Sequence, residues 1–393
     1  MATGDILFWC GFGAFLYAYL GYPLLLAAMG AVRGRDLPWG DRRPRVSLVV
    51  AAHNESAVIE HKIRNFRALR YPAELVELVV VSDGSTDGTD DIVSRCADPR
   101  VRLLRQEPRA GKPSALNLGV RAARGEVLVF SDANSMFAPD ALEQLLGPLA
   151  APQVGAVSGV LAYHGGVAGS GEDVYWRYEQ VVKRLESRLG ALLGANGAIY
   201  AIRKELVPHL RPLDVDDFRI AYQALLEGKQ VFLNPAARAE EEAAGSVSGE
   251  LGRKVRIMSR ALAMFLSLLG PTLRRGRVQA AWQLISHKLM RESQALFFAA
   301  MMLGAGWGAL TGSAFGKWAL GLQLAGYAVG TLGWLWPQGR RLLPIRFATY
   351  VTMIAVASAW AMGRWLAGRN AATWRRTERS VASPRGSEGS GEE

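Results

Sequence analysis

The sequence predicts an α/β domain with a mostly parallel sheet, flanked by membrane-spanning helices. Short apolar runs alternate with amphipathic stretches between about residues 45 and 235, as strands and helices do in βαβ units. Two of these runs end in turns that carry carboxylates, which is typical of the ligand-binding edge of an open sheet. Apolar residues are also concentrated near both ends of the 393-residue chain. These three observations together predict an enzyme-like domain at a membrane.

We expect five regions along the chain, each with its own composition. They are an N-terminal transmembrane anchor (1–35), a cytosolic α/β domain (45–250), interfacial amphipathic helices (251–292), C-terminal transmembrane helices (293–368) and a polar, partly disordered tail (369–393).

The first region is an almost uninterrupted apolar stretch from Ile6 to Val32, long enough to cross a bilayer. Its positive charges, Arg33 and Arg35, follow the stretch, whereas a signal peptide has them before it. We therefore expect an uncleaved anchor with the N-terminus outside and the α/β domain in the cytosol. This places a multi-pass protein in the cell (inner) membrane.

Three C-terminal stretches are also predicted to span: Ser293–Gly312, Trp318–Pro337 and Phe347–Gly368. Three crossings would leave the tail outside, although its arginines favour the cytosolic side. We therefore expect one of the three to be re-entrant or interfacial.

Composition and charge limit the classes of molecule that the chain is expected to bind. The formal net charge is +11, and much of the arginine lies beside apolar segments, which favours a lipid bilayer over nucleic acid. The only cysteines, Cys10 and Cys96, have no metal-like spacing and form no disulfide framework. No GxGxxG motif follows the first strand, which argues against a Rossmann dehydrogenase.

Within the α/β domain, β-branched and apolar runs predict strands, and amphipathic spacing predicts helices. The expected strands are Val46–Ala52, Leu75–Val81, Val101–Leu104, Val127–Phe130 and Val154–Val160, with a strand-like stretch at Ile199–Ile202. The expected helices are Ala57–Leu69, Asp87–Cys96, Pro113–Ala123, Pro139–Leu149 and Asp173–Leu189.

Carboxylates follow two of the expected strands. The run VVVSDGSTDGT at 79–89 places Asp83 at one strand end, and Asp132 and Asn134 follow the strand that ends at Phe130. Lys112 stands at an expected helix start, where free N–H groups and the helix dipole attract phosphate. These groups suit a charged ligand or a metal ion, and solvated turns are the alternative.

Taken in order, VVVSDGSTDGT, GKPSALNLG and FSDAN resemble a membrane-bound family 2 glycosyltransferase with the GT-A fold, similar to cellulose, hyaluronan and poly-N-acetylglucosamine synthases. The resemblance runs from about Val46 to Arg260. It implies an inverting transferase that uses a nucleotide sugar, most simply a UDP-sugar, and a divalent cation.

The resemblance also implies residues for the donor. Nucleotide-sugar contacts would come from the set Ala51, His53, Glu55, Asp83, Lys112, Asp132 and Arg256. Asp132 and Asn134 occupy the DxD position, where Mg²⁺ or Mn²⁺ binds the diphosphate. Asn134 replaces the usual second aspartate, and its amide oxygen can coordinate but brings no charge.

On the acceptor side, Asn196 and Gly197 lie in a small-residue loop that resembles the acceptor loop of the family. A structural glycine turn is the alternative. Asp216 and Asp217 resemble the ED motif, whose second acid is the catalytic base, so we expect the base to be Asp217. An acidic helix cap is the other interpretation.

Ile257 stands where processive members carry the tryptophan of QxxRW, and Arg256 matches its arginine. Loss of the tryptophan predicts addition of one or a few sugars. The acceptor would be a glycan or a lipid-linked molecule at the cytosolic face. A non-catalytic membrane scaffold with the same fold is the alternative function.

Overall fold

The computed structural model describes residues 3–164, 171–242 and 250–368. Its centre is a single eight-stranded sheet with the spatial order β3-β2-β1-β4-β7-β6-β8-β5. The strands are β1 Val46–Ala52, β2 Val76–Asp83, β3 Val101–Gln106, β4 Val127–Asp132, β5 Met136–Phe137, β6 Val154–His164, β7 Tyr200–Arg203 and β8 Gln230–Glu242.

The sheet is mixed. β3, β2, β1 and β4 are parallel, as expected, and β6 is parallel to β8. The remaining pairs, β4 with β7, β6 with β7 and β5 with β8, are antiparallel. The α/β class is therefore confirmed, with more antiparallel pairing than the sequence indicated.

The direction of β7 follows from where the chain enters it. The loop at 190–199 reaches the carboxyl edge of β4, so the next strand runs back from that edge. Phe130 near the end of β4 pairs with Tyr200, the first residue of β7. The acceptor-like loop before β7 is thereby brought to the edge where Asp132 lies.

Fourteen α-helices surround or extend this sheet within the described ranges. They are α1 Thr3–Leu16, α2 Tyr22–Arg33, α3 Ile59–Arg67, α4 Thr89–Ser94, α5 Lys112–Ala122, α6 Ala141–Leu146, α7 Gly171–Arg188, α8 Asp216–Leu226, α9 Glu250–Arg274, α10 Val278–Gln283, α11 Met290–Glu292, α12 Gln294–Leu310, α13 Ala314–Leu335 and α14 Leu343–Leu366.

Apolar side chains pack on both faces of the sheet. One core holds residues of α3 and α6, such as Ile63 and Leu145. The other holds residues of α5, α7 and α8 and continues into α2 and α9, for example through Leu26 and Phe265. The membrane-proximal helices therefore share a hydrophobic core with the enzyme-like domain.

The expected elements are present with small changes in length. β1 has the predicted bounds, and the ends of the other five expected strands lie within one to four residues of their predicted positions, whereas β5 and β8 were not expected. α6 is shorter than expected, because Pro148 begins a separate 3₁₀ turn. These differences do not move the loops that carry the candidate site residues.

Two helical segments are long and apolar enough to cross a membrane among the described residues: Thr3–Arg33 and Leu343–Leu366. A third crossing is formed if Val278–Glu292 and Gln294–Leu310, which are bent by 62° at their junction, act as one broken span. The expected stretch at Trp318–Pro337 is helical as α13, but Lys317, Gln323 and several glycines make it too polar on average to join them.

A buried set of ionisable side chains joins these helices to the domain. Glu186 on α7 accepts hydrogen bonds from Tyr22 of α2 and from His287, each at 2.6 Å. Glu179, two turns earlier on α7, contacts Lys288 at 3.0 Å and Arg291 at 2.7 Å. We call these six residues the α7 ion network.

Candidate active site

A lysine and three aspartates meet at the carboxyl edge of the sheet. Lys112, the first residue of α5, places its ammonium nitrogen 2.8 Å from Asp132 Oδ1 and 3.1 Å from Asp216 Oδ2. Asp217 is next to Asp216 in the first turn of α8. Three segments that are far apart in sequence thus converge at one edge of the sheet.

Electrostatics sets the protonation of this cluster. Desolvation by burial and the neighbouring charge of Asp216 raise the pKa of Asp217, and the cations Lys112 and Lys183 partly oppose this. The carboxylates in turn raise the pKa of Lys112, so it is firmly protonated. The site therefore pairs a permanent cation with a carboxylate of increased basicity.

The acceptor-like loop lies against Asp217. A Cβ atom added at Gly197 would stand 3.4 Å from Asp217 Oδ2, which shows how closely the glycine approaches this carboxylate. Asn196 is 9% exposed, and its backbone N–H donates to Ser158 Oγ at 2.9 Å. Its side-chain oxygen accepts from Ala198, while its buried Nδ2 has no hydrogen-bond partner among the described residues. Among the described residues, an amide donor therefore remains unused in the same loop whose Gly197 approaches the predicted base.

Asp83 lies beneath the neighbouring loop instead of at an open surface. It is 4% exposed, and its carboxylate accepts hydrogen bonds from Gln106 Nε2 at 2.6 Å and from the N–H groups of Ala110 and Gly111 at 2.8 Å each. In this structure Asp83 thus fixes the start of α5 and, with it, Lys112. A uridine contact from this carboxylate stays a prediction.

The other predicted donor residues border the ends of β1 and β2. His53 Nδ1 donates to the carbonyl oxygen of Asp83 at 2.7 Å, and Glu55 is buried, with its N–H bonded to Thr89 Oγ1. Ala51 pairs with Asp132 across the sheet. Arg256 belongs to α9, but its side chain lies outside the part of the chain that the structure describes.

The oxygen groups near Asp132 fit a divalent cation that shares its ligands with a diphosphate. Asn134 donates its amide N–H to Glu241, so its oxygen is the atom available to a metal. In the described residues no three histidine, cysteine or acidic side chains form a complete metal site. Mg²⁺ commonly uses one or two carboxylates and takes its remaining oxygens from phosphates and water. Asp132 and Asn134 would therefore be enough as protein ligands, and their binding of a metal stays a prediction.

Sequence reasoning missed Lys62, which lies under the turn that carries these ligands. Lys62 is fully buried, and its ammonium donates to Ser131 Oγ at 2.6 Å and to the carbonyl of Ser135 at 2.5 Å. Desolvation lowers its pKa to about 7. The sequence did contain a signal for this burial. Lys62 lies within the apolar stripe that Ile59, Ile63 and Phe66 form on α3.

Two further residues near the base were also missed. Lys183 of α7 reaches the carbonyl of Ala195 at 3.4 Å, and burial lowers its pKa while the charge of Asp217 raises it. Tyr200 is fully buried, and its hydroxyl has no hydrogen-bond partner in the described ranges. Neither residue belongs to a sequence motif. The packing of α7 and β7 brings Lys183 and Tyr200 near the site, and local sequence does not specify that packing.

Comparison with known proteins identifies the domain. Residues 47–209 match the family "Glycosyl transferase family 2". Among curated relatives, the chain is 38% identical over 106 residues to "Succinoglycan biosynthesis protein ExoO" of Rhizobium meliloti, covering 27% of this chain and 30% of the relative. It is 26% identical over 207 residues to "Poly-beta-1,6-N-acetyl-D-glucosamine synthase" of Staphylococcus aureus, covering 50% of each. The chain thus spans from a third to half of the length of these relatives.

A solved structure agrees over a longer range. The mannosyltransferase PcManGT of Pyrobaculum calidifontis, determined with GDP-Man and Mn²⁺, superposes with a TM-score of 0.68 at 24% identity, covering 92% of this chain and 99% of the other. This similarity confirms the predicted GT-A fold. Together, the family match and the names of the relatives confirm the predicted glycosyltransferase class, with the similarity to glycosyl transferase family 2 lying in residues 47–209.

Proposed function

We propose that this chain is an inverting glycosyltransferase that moves a sugar from a nucleoside diphosphate to an acceptor hydroxyl at a membrane surface. The observation that carries the proposal is the meeting of Lys112 with Asp132 and Asp216, directly beside Asp217 and the loop of Gly197. This arrangement offers a cationic place for a diphosphate and a base on one edge of the sheet.

In the proposed reaction, Asp217 takes the proton of the acceptor hydroxyl as its oxygen attacks the anomeric carbon. The bond between this carbon and the diphosphate oxygen breaks, and its electron pair leaves with the nucleoside diphosphate. Attack from the side opposite the leaving group inverts the anomeric configuration. The raised pKa of Asp217 suits this role, because a base works best when its pKa approaches the operating pH.

Lys112 and a divalent cation would divide the charge of the leaving group between them. The cation, held by Asp132 and Asn134, supplies Lewis-acid neutralisation of the diphosphate when bound. Lys112 supplies a fixed positive charge at the N-terminus of α5, whose free N–H groups also favour phosphate. The Mn²⁺ and GDP-Man in the PcManGT structure support this part of the proposal.

The acceptor would lie over the loop of Asn196 and Gly197. The unused Nδ2 of Asn196 is a donor suited to a sugar hydroxyl, and Gly197 leaves room for a ring beside Asp217. The predicted anchor and C-terminal helices would hold a glycan or lipid-linked acceptor near this loop, with the domain on the cytosolic face of the inner membrane. The candidate membrane spans and the polysaccharide-synthesis names among the relatives support this location.

The test is nucleoside diphosphate release by purified protein supplied with UDP-sugars or GDP-mannose and a bacterial lipid extract. Asp217→Asn should lower turnover by roughly two to four orders of magnitude, the usual contribution of a general base. Donor affinity should change little, since the base acts on the acceptor. Asp214→Asn is the matched control, because Asp214 belongs to the same acidic sequence but accepts from the N–H of Arg211. Near wild-type turnover in Asp217→Asn would disprove the assignment of the base.

The non-catalytic scaffold is the second candidate function. A GT-A domain that shares a hydrophobic core with the membrane-proximal helices is compatible with a scaffold. The Lys112–aspartate cluster, however, has no evident use in a scaffold. Donor binding without release of nucleoside diphosphate under any acceptor condition would favour the scaffold.

A further inference from the structure

We propose that Tyr200 is a positioning residue for the carboxylate pair Asp216–Asp217, to which its hydroxyl donates a hydrogen bond when substrates are bound. This inference rests on the proposed transferase function. It concerns a residue that no sequence motif includes.

The strand register brings Tyr200 to the site. Tyr200 lies directly opposite Phe130 in the antiparallel pair of β7 and β4, and the two rings stack at 5.0 Å between centroids. Directly opposed residues share one face of a sheet, and residues two apart on a strand also share a face. Tyr200 is therefore on the same face as Asp132, which comes two residues after Phe130.

The hydroxyl of Tyr200 has no evident structural purpose. The side chain is 0% exposed, and the hydroxyl oxygen makes no hydrogen bond within the described residues. A buried polar group without a partner is costly, so a phenylalanine would suit a purely structural position better. Burial holds the pKa of Tyr200 well above its usual range, and the negative charges of Asp216, Asp217 and Asp132 raise it further. The hydroxyl thus stays protonated and available as a donor.

Substrate binding would create the need for this donor. Lys112 now balances Asp132 and Asp216 together. A diphosphate next to α5 competes for the same ammonium group, which weakens its bond to Asp216. Two adjacent carboxylates in a buried site then require another donor, and the Tyr200 hydroxyl has no other partner in the part of the chain that the structure describes. Its hydrogen bond would keep Asp217 in the orientation that receives the acceptor proton.

The experiment compares Tyr200→Phe with Tyr222→Phe in the full-length protein. Both tyrosines are fully buried in the same core, and each is stacked on a phenylalanine, but the Tyr222 hydroxyl is bonded to Thr272 Oγ1 at 3.0 Å. Each variant keeps the ring and removes one hydroxyl. We measure kcat, the donor KM and the apparent Tm.

For Tyr200→Phe we expect kcat to fall about tenfold, as for loss of one hydrogen bond to a charged group, with an unchanged donor KM and an equal or higher Tm. For Tyr222→Phe we expect wild-type kcat and a lower Tm. A wild-type kcat in Tyr200→Phe, or an equal loss of kcat in both variants, would overturn the inference. If Asp217→Asn is inactive while Tyr200→Phe has wild-type kcat, the inference about Tyr200 fails and the proposed function stands. If Asp217→Asn is fully active, the assignment of Asp217 as the base is wrong.

Discussion

Replacing Lys62 with methionine tests the buried cation beneath the metal-binding turn. Burial lowers the pKa of Lys62 from 10.5 to about 7 in the folded protein, whereas the unfolded chain exposes it to water. Between these two values the unfolded chain holds a proton that the native protein lacks. Native stability must therefore rise as the pH increases from about 7 towards 10.5, and fall as the pH decreases through that range.

The size of the effect follows from the two pKa values. Because folding is coupled to release of the Lys62 proton, the free energy of unfolding should be about 2 kcal/mol larger at pH 9 than at pH 7. For a domain of this size that amounts to an increase in Tm of roughly 4 °C. Lys62→Met has no titrating group at this position and should lack that increase, although it loses the hydrogen bonds to Ser131 and Ser135 at every pH.

The assay is thermal unfolding of the detergent-solubilised protein at several pH values between 7 and 9. The measured quantity is the difference in Tm between wild type and Lys62→Met as a function of pH. Lys229→Met is the control, because the ammonium of Lys229 makes an exposed hydrogen bond to the carbonyl of Pro152. Parallel curves for wild type and Lys62→Met would show that Lys62 does not titrate in this range, and would refute the reasoning.

Three further predictions concern the reaction. Chelation with EDTA should abolish transfer, and full activity after exhaustive chelation would contradict the metal requirement. Asn134→Asp should lower the Mn²⁺ concentration needed for half activation about tenfold, because it adds a charged ligand. Because the base must be ionised, kcat/KM should fall as the pH decreases through the raised pKa of Asp217. Lys183→Met should move this fall to higher pH by removing a nearby cation, and an unmoved pH profile would exclude the electrostatic effect of Lys183 on Asp217. Ile257 is 49% exposed and has no aromatic face on which a sugar could stack. Products should therefore carry one or a few added sugars, and Ile257→Trp should lengthen them. A long polymer made by the wild type, detected by size analysis, would disprove this prediction.

Local sequence was sufficient for six of the eight strands and for the polar turns at their ends, whereas β5 and β8 were not expected. β-branched runs such as Val79–Val81 have few alternatives to a buried strand, and the carboxyl ends of parallel strands necessarily meet. The convergence of Asp132 and Lys112 could therefore be predicted from spacing and motif order.

Roles that depend on tertiary packing could not be predicted in this way. The engagement of Asp83 by the neighbouring loop depends on how residues 107–111, between β3 and α5, return to the end of β2. Tyr200 reaches the site through the register of an antiparallel pair, and Lys62 through the face that α3 presents to the sheet. Each requires long-range contacts that no local pattern specifies.

The α7 ion network has a consequence for how the enzyme can be handled and how it meets its acceptor. Glu179 and Glu186 are balanced by side chains from α2 and from the bent helical segment, so a truncated soluble domain would be left with buried, unbalanced carboxylates. Catalytic domain and membrane helices should therefore fold and be purified only as one unit. Because Lys183 on the same helix lowers the pKa of Asp217, α7 links the ion network to the proposed base, and if the candidate spans cross a bilayer this link would set the distance of Asp217 from the lipid surface. We expect the enzyme to select acceptors partly by the distance between their reactive hydroxyl and the bilayer.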